Sequence, residues 1–203
     1  MRLLLVSDVA SEYLWSHYRP EHVRGVSLIL SAGDLKREYL DFLVTMIGRP
    51  LVYVPGNHDR TFVKAPPEGC LCADGCVLTV TPPGGAVSLR IAGLGGCQGG
   101  NPKEPYQYTE EAMARRVKKL QAQARRAGEI DIFLTHAPAL GVGDGDDAFH
   151  KGFACFREFI GQARPRLHVY GHQHKSYKPM QDMELRTGET LHVNACGYRI
   201  LEW

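Results

Sequence analysis

Polar residues able to bind metal ions follow five short apolar runs of this chain. The runs and their polar residues are VSD with Asp8, SAGD with Asp34, VPGNHD with Asn57 and His58, LTHAP with His136, and YGHQH with His172 and His174. One such run alone is compatible with an ordinary turn, because Gly, Asn and Asp tolerate turn conformations. The same chemistry after five runs instead favours a shared ligand site.

The residue types define the chemistry of that site. Carboxylates, an amide oxygen and imidazoles are ligands for divalent ions such as Mn, Fe, Ni or Zn. A carboxylate has two oxygens, so one aspartate can bridge two ions. In GHQH, the alternate spacing of His172 and His174 directs the two rings to different neighbouring positions. These residues predict a metal site and allow a dinuclear one.

The apolar runs themselves predict β-strands. They are short, rich in branched residues and bounded by turn formers: RLLLVSD, SLILSAGD, PLVYVPGNHD, SLRIAGLGG, IDIFLTHAP, RLHVYGHQH and TLHVNACGY. Helical spacing of apolar residues occurs between these runs at 36–47 and 109–127. For the second helix, Thr109 is a candidate N-cap and Gly128 a candidate C-terminal end. The alternation predicts an α/β protein whose ligands bind beyond the carboxyl ends of the strands.

Length and charge limit the classes of protein to consider. The 203 residues predict one domain over 1–203, and a net charge of +2 argues against a dedicated nucleic-acid surface. The N-terminal run meets Asp8 too early for a signal peptide core or a membrane span, which predicts a cytoplasmic protein without a membrane partner.

The cysteines have neither the density nor the spacing of a disulfide scaffold, so we expect mostly free thiols. In CLCADGC, Cys70, Cys72 and Cys76 could ligate zinc, but the segment lacks a CxxC pair and an evident fourth ligand. A turn with small, partly buried cysteines is the favoured interpretation. His192 lies within a strand-like run, where packing is favoured over a ligand role.

The polar residues as a set resemble the motifs of the calcineurin-like metallophosphoesterases, which read DxH, GD, GNH followed by an acid, a separate His, and GHxH. The matching positions are Asp8, Gly33-Asp34, Gly56-Asn57-His58-Asp59, His136 and Gly171-His172-Gln173-His174. The resemblance implies two packed β-sheets flanked by helices. It also implies a metal-dependent phosphoesterase that hydrolyses a phosphomonoester or phosphodiester through a metal-activated water.

Ligand roles follow from the resemblance, position by position. Asp34 would bridge two divalent ions, with Mn first and Fe, Ni or Zn as alternatives. Of the remaining ligands, Asn57, His136 and His172 would bind one ion. Asp8 and His174 would bind the other. The chain departs from DxH at Ala10, whose methyl group cannot bind metal. One site is therefore short of a ligand and weakly occupied, unless water, Glu12, His17 or a substrate oxygen completes it.

The resemblance also assigns catalytic and substrate contacts. His58 would face the substrate phosphate and stabilise charge or protonate the leaving oxygen, with Asp59 helping to orient its ring. Arg60 and, on the predicted mobile loop 141–152, His150 are candidate substrate contacts; an ordinary surface position is the alternative for both. The missing ligand at Ala10 also suggests an alternative function. The chain would then be a protein-binding scaffold of the same fold, like the family's retromer subunit.

Overall fold

Thirteen strands and three α-helices make up the computed structural model, which describes residues 1–84, 87–101, 103–174 and 184–203. In chain order the strands are β1 (Arg2–Ser7), β2 (Val26–Ser31), β3 (Leu51–Tyr53), β4 (Leu71–Cys72), β5 (Val77–Val80), β6 (Leu89–Leu94), β7 (Cys97–Gln98), β8 (Gln107–Tyr108), β9 (Ile132–Thr135), β10 (Leu167–Tyr170), β11 (Glu184–Thr187), β12 (Thr190–Asn194) and β13 (Gly197–Glu202). The helices are α1 (Arg37–Ile47), α2 (Glu110–Ala127) and α3 (Ala154–Ala163).

The strands form two large sheets and one small one. The first sheet has the order β13-β1-β2-β3-β4, and all its neighbouring pairs are parallel except β13 with β1. The second has the order β11-β12-β10-β9-β6-β5, parallel through its four central strands and antiparallel at both edges. Strands β7 and β8 pair separately. All seven predicted strands are present.

Apolar side chains on both faces explain why the central strands read as continuous apolar runs. Leu3 and Leu5 of β1 point into a cluster between the two sheets, together with Ile132 and Leu134 of β9. The alternate side chains of β1 pack instead against α1, on the outer face of the first sheet. On the outer face of the second sheet, Phe133 packs with residues of α2 and α3. The prediction of two packed sheets flanked by helices is confirmed.

Helix α2 begins and ends where the sequence predicts. The Thr109 hydroxyl accepts a hydrogen bond from the Ala112 amide at 3.3 Å, which satisfies one of the free N–H groups of the first turn. The Gly128 amide closes the last turn on the Ala124 carbonyl. The buried side chains of the helix recur at helical spacing and face the second sheet: Met113, Val117, Leu120 and Ala124.

A directed chain of hydrogen bonds crosses the second sheet at His168 and His192, both fully buried. The Thr135 hydroxyl donates to the Ala137 carbonyl at 2.7 Å, so it accepts from His168 Nε2 at 2.9 Å. His168 Nδ1 then accepts from His192 Nδ1, and His192 Nε2 accepts from the Thr187 hydroxyl. Burial lowers the pKa of His192 to about 4, so both rings are neutral packing groups, as expected for His192.

The cysteines agree with the prediction of free thiols. In the described ranges none of the six forms a disulfide; Cys70 and Cys76 are half-buried and Cys72 is exposed. Burial raises the pKa of the Cys70 thiol to about 12. In the described part of the chain, no group of potential metal ligands includes these three cysteines. Segment 141–152 contains neither helix nor strand.

Of the helices in the described ranges, none combines the length and the apolar composition needed to cross a bilayer.

Candidate metal centre

The predicted ligands meet at the seam between the two sheets. Asp8, Asp34 and Asn57 follow strands of the first sheet, whereas His136 and His172 follow strands of the second. Parallel strands end at the same edge of each sheet. Hydrogen bonds between backbone and side-chain groups join the two edges. His136 Nδ1, for example, lies 2.7 Å from the Ala32 carbonyl oxygen of the first sheet.

Three side chains converge closely enough to hold one metal ion. Asp34, His136 and His172 each offer a ligand atom, and these atoms lie within 4.8 Å of one another. His136 Nε2 is 3.3 Å from Asp34 Oδ2 and 3.0 Å from Asn57 Oδ1. The side chains of His136 and Asp34 are almost inaccessible to solvent. The Asn57 amide oxygen therefore lies beside the same cluster.

Each imidazole has one ring nitrogen occupied by a backbone carbonyl, which leaves the other available as a ligand. His136 Nδ1 donates to the Ala32 carbonyl, so its Nε2 faces the carboxylate. His172 shows the reverse arrangement, because its Nε2 donates to the Phe149 carbonyl at 2.9 Å and Nδ1 remains. A carbonyl that fixes the tautomer of a histidine is typical of protein metal sites. The donor set therefore fits a divalent ion.

Electrostatics in the cluster favour a positive charge between Asp34 and His136. Burial alone would raise the pKa of Asp34, but the His136 charge and hydrogen bonds lower it to about 2. Burial alone would lower the pKa of His136, but Asp34 raises it to about 9. Burial and the His136 charge lower the pKa of His172 to about 3, so that ring stays neutral. With its pKa at about 9, the metal-free His136 ring carries a proton on both nitrogens, and a bound cation would displace the proton from Nε2.

Backbone conformation and close packing explain why glycines precede several of the predicted ligands. Asp8, Asp34 and His172 all have left-handed conformations, with φ of 62°, 57° and 65°. A Cβ at Gly56 would lie 2.0 Å from Asp34 Oδ1, and one at Gly171 would lie 1.9 Å from the Ser7 hydroxyl. Only glycine permits these approaches, so the glycines of GNH and GHQH are required by the packing of the ligands.

Asp8 and His174, predicted for a second ion, lie beside the cluster. The His172 amide donates to both carboxylate oxygens of Asp8 at 3.0 Å, and the Ser7 hydroxyl donates to one of them. His174 Nε2 is 3.6 Å from Asp8 Oδ1. Burial raises the pKa of Asp8.

The position of the missing ligand is partly buried. Ala10 is half-buried and packs against the apolar cluster beneath α1. Glu12 and His17, the proposed substitutes, are both exposed. In the described ranges, neither side chain forms an ion pair with Asp8 or His174.

His58 reaches the cluster through its backbone rather than its ring. Its amide donates to Asp34 Oδ1 at 2.8 Å, and the residue is exposed. A cavity of about 440 Å³ is bordered by Asp34, His58 and Asp59, with Lys36 also in its lining. The His58 side chain therefore borders the same cavity as Asp34.

Asp59 supports the backbone of the site. Its Oδ2 accepts hydrogen bonds from the amides of Asp34 and Gly56, both at 2.8 Å. Burial raises its pKa to about 6. Among the described contacts, none joins this carboxylate to the His58 ring, so the hydrogen bonds recorded for Asp59 position the two turns that carry the ligands.

The two predicted substrate contacts differ in position. Arg60 has a side chain 67% exposed and pairs with Glu104 at 3.3 Å. The His150 ring lies with its centroid 5.1 Å from that of His172, and its Nδ1 is 2.8 Å from Asp147 Oδ2. His150 is thus adjacent to the cluster, and Arg60 belongs to a surface ion pair.

Three groups that support the site were not predicted. The carbonyls of Ala32 and Phe149 fix the two imidazoles, and a backbone carbonyl leaves no signal in residue type. Asn194 is the last residue of β12, and its amide nitrogen donates to the Gln173 carbonyl at 2.8 Å. The rule that predicts the ligands, a polar residue at the end of an apolar run, also applies to Asn194 in TLHVN.

Comparisons with known proteins agree with this fold. The family model described as Calcineurin-like phosphoesterase matches residues 1–176. No curated protein matches the chain. The crystal structure of TT1561 of Thermus thermophilus has a TM-score of 0.64 and 16% identity, and the match covers 97% of this chain and 89% of that one. Plasmodium GAP50, described as the anchor in the inner membrane complex, has a TM-score of 0.58 and 13% identity, over 97% of this chain and 71% of that one.

Proposed function

This chain belongs to the calcineurin-like phosphoesterase family, and from that premise we propose that it is a divalent-metal-dependent phosphoesterase. Its substrate is a phosphomonoester or phosphodiester, and its location is the cytoplasm. The observation that carries the proposal is the convergence of Asp34, His136 and His172, whose ligand atoms lie within 4.8 Å of one another. The two carbonyl-fixed imidazoles support metal binding over a purely structural cluster.

The proposed metal ligands form two unequal sets. Asp34, Asn57, His136 and His172 would hold one ion, and Asp8, Asp34 and His174 the other. Mn is the first choice, with Fe, Ni and Zn as alternatives, because carboxylate, amide and imidazole donors suit all four. When bound, such ions lower the pKa of a water and bind the attacking and leaving oxygens of a displacement.

The chain's own residues orient the ligands and serve the leaving group. Asp59 holds the turns of Asp34 and Gly56 through their amides, which fixes the direction of the Asp34 carboxylate. His58, exposed at the edge of the cavity of about 440 Å³, would donate a proton to the leaving oxygen. His150 and Arg60 remain candidate contacts for the rest of the substrate, and the contact between the His150 and His172 rings favours His150.

Added metal should determine activity. Protein treated with EDTA is expected to hydrolyse neither an aryl phosphomonoester nor a bis-aryl phosphodiester, and Mn should restore turnover. The physical reason is that Asp34, His136 and His172 would hold the ion that activates the attacking water. Circular dichroism before and after treatment controls for unfolding. Folded protein that is saturated in turn with Mn, Fe, Ni and Zn and turns over neither ester would contradict the proposal.

A protein-binding scaffold is the alternative function. Ala10 supplies no donor, and one structural neighbour, GAP50, is described as an anchor. Against this alternative, His58 and the complete first ligand set are retained in this chain. Retention of a catalytic histidine has no evident use in a scaffold.

Restoring a histidine at position 10 tests the unequal sites. Titration of metal-free parent protein should show one tight and one weak binding event, because the second set has three protein ligands rather than four. The Ala10→His variant is expected to strengthen only the weak event, by roughly tenfold or more, since a donor replaces water. Isothermal titration calorimetry measures both events.

The Ala10→Phe variant is the matched control, because it adds a ring of similar size without a donor. It should leave the weak event unchanged. Two equal events in the parent, or a folded Ala10→His variant with unchanged affinities, would mean that another residue already completes the second set.

A further inference from the structure

A second cavity lies away from the proposed metal ligands, between α3, the β11–β12 hairpin and the segment that follows Pro138. Its volume is about 550 Å³, and its described lining includes none of the predicted metal or catalytic residues. A cavity of this size accommodates a small organic molecule. The residues in its wall therefore indicate the chemistry of a ligand.

Two arginines give the cavity its charge. Arg157 lies in α3, and Arg164 is the residue at which that helix ends. Within the described ranges, neither guanidinium has a carboxylate at ion-pair distance. The described lining has a single carboxylate, Glu189. Two unneutralised guanidinium groups at one cavity favour an anion, and their planar forks match phosphate oxygens.

The backbone at Arg164 is unusual for a side chain of this size. It has φ of 46° and ψ of 52°, a left-handed conformation at the helix end that glycine normally occupies. A residue with a Cβ is strained there, so helix geometry alone does not account for arginine. A use for its side chain in the cavity does account for it.

The remaining wall combines polar and apolar groups. Thr187 and His192 line one side, joined by the hydrogen bond from the Thr187 hydroxyl to His192 Nε2 at 2.6 Å. Leu140, Val142 and Ile160 provide apolar surface. The arginines thus suit a phosphate group, and the apolar side chains suit an organic body attached to it.

We propose that this cavity is a second ligand site, which binds an organic phosphate of at most mononucleotide size through Arg157 and Arg164. The site is independent of the metal ions, because it shares none of their ligands. Segment 141–152 runs from Gly141 in the cavity wall to Phe149, whose carbonyl fixes His172, and so joins the cavity to the proposed metal centre.

Binding of phenylphosphonate, which cannot be hydrolysed as an ester, tests the site by isothermal titration calorimetry on protein without added metal, so that the proposed metal centre does not hold the phosphonate. The parent should bind it more tightly than inorganic phosphate, because the phenyl group contacts the apolar wall. Arg164→Gly and Arg157→Gln should each weaken binding by at least about tenfold. Arg164→Gly also suits the left-handed backbone, so its melting temperature should equal or exceed that of the parent.

Two further variants separate this site from the metal centre and from general charge effects. Arg125→Gln removes an exposed arginine of α2 and should bind as the parent does. Asp34→Asn disables the proposed metal site and should also bind as the parent does. Failure of the parent to bind, a preference for inorganic phosphate, unchanged affinity in both cavity variants, or loss of binding in Asp34→Asn would each overturn the proposal.

Discussion

Replacement of His58 by alanine is expected to lower turnover by about 10²- to 10⁴-fold, the range for general acid–base catalysis, while metal content stays the same. The structure explains why these two quantities should separate. The bond from His58 to the metal ligands is made by its backbone amide, which donates to Asp34 Oδ1 at 2.8 Å and remains in the variant. Only the exposed ring at the cavity edge is removed.

Steady-state assays with an aryl phosphate ester and metal analysis of the same samples measure the effect. Lys64→Ala, an exposed change on the following turn, is the control and should retain parent activity. Loss of metal together with activity in His58→Ala would assign the ring to metal retention instead. The loss of turnover in His58→Ala should be smaller for a substrate with an activated leaving group, because the leaving oxygen of such a substrate needs less protonation.

Replacement of Asp34 by asparagine is expected to remove both metal binding and turnover. The affinity for metal should fall by more than about 10²-fold. Removal of a ligand weakens metal binding more than removal of a residue that only supports a ligand. Asparagine has the same shape as aspartate and tolerates the left-handed φ of 57° at this position. The amide oxygen can still accept from the His58 amide. The variant therefore removes charge with little change in backbone geometry.

Asp131→Asn is the matched control for this experiment. Asp131 precedes β9, at the opposite end of the strand from His136, and its carboxylate accepts from the Arg90 amide at 2.8 Å. It should lose neither metal nor activity. If Asp34→Asn binds Mn as the parent does, the convergent cluster is not the metal site.

The sequence predicts the central strands well because both faces of those strands are buried. Leu3 and Leu5 face the second sheet while Leu4 and Val6 face α1, so the run is apolar throughout and has no solvent-exposed alternative. The strands at sheet edges were not predicted. All four residues of β11 are exposed, and its strand character comes from pairing with β12, not from an apolar pattern.

Helix α3 was missed for a different reason. Its buried face, Cys155, Phe156, Phe159 and Ile160, has helical spacing, but Phe153 at the N-cap provides no side-chain bond to mark a start. The site shows a similar division. Residue types are enough to propose the ligands, whereas the carbonyls of Ala32 and Phe149 become visible only when the chain is folded, because every residue carries the same backbone group.

The origin of the ligands in both sheets has a consequence for stability. Asp34 and Asn57 extend from the first sheet and His136 and His172 from the second, so an ion held by all four would act as a cross-link between the sheets. The cross-link would join positions as far apart in the sequence as 34 and 172. At a free concentration one hundred times its dissociation constant, such an ion adds about 2.7 kcal/mol to the free energy of unfolding. Metal supply would then set the lifetime of the folded chain as well as its chemistry.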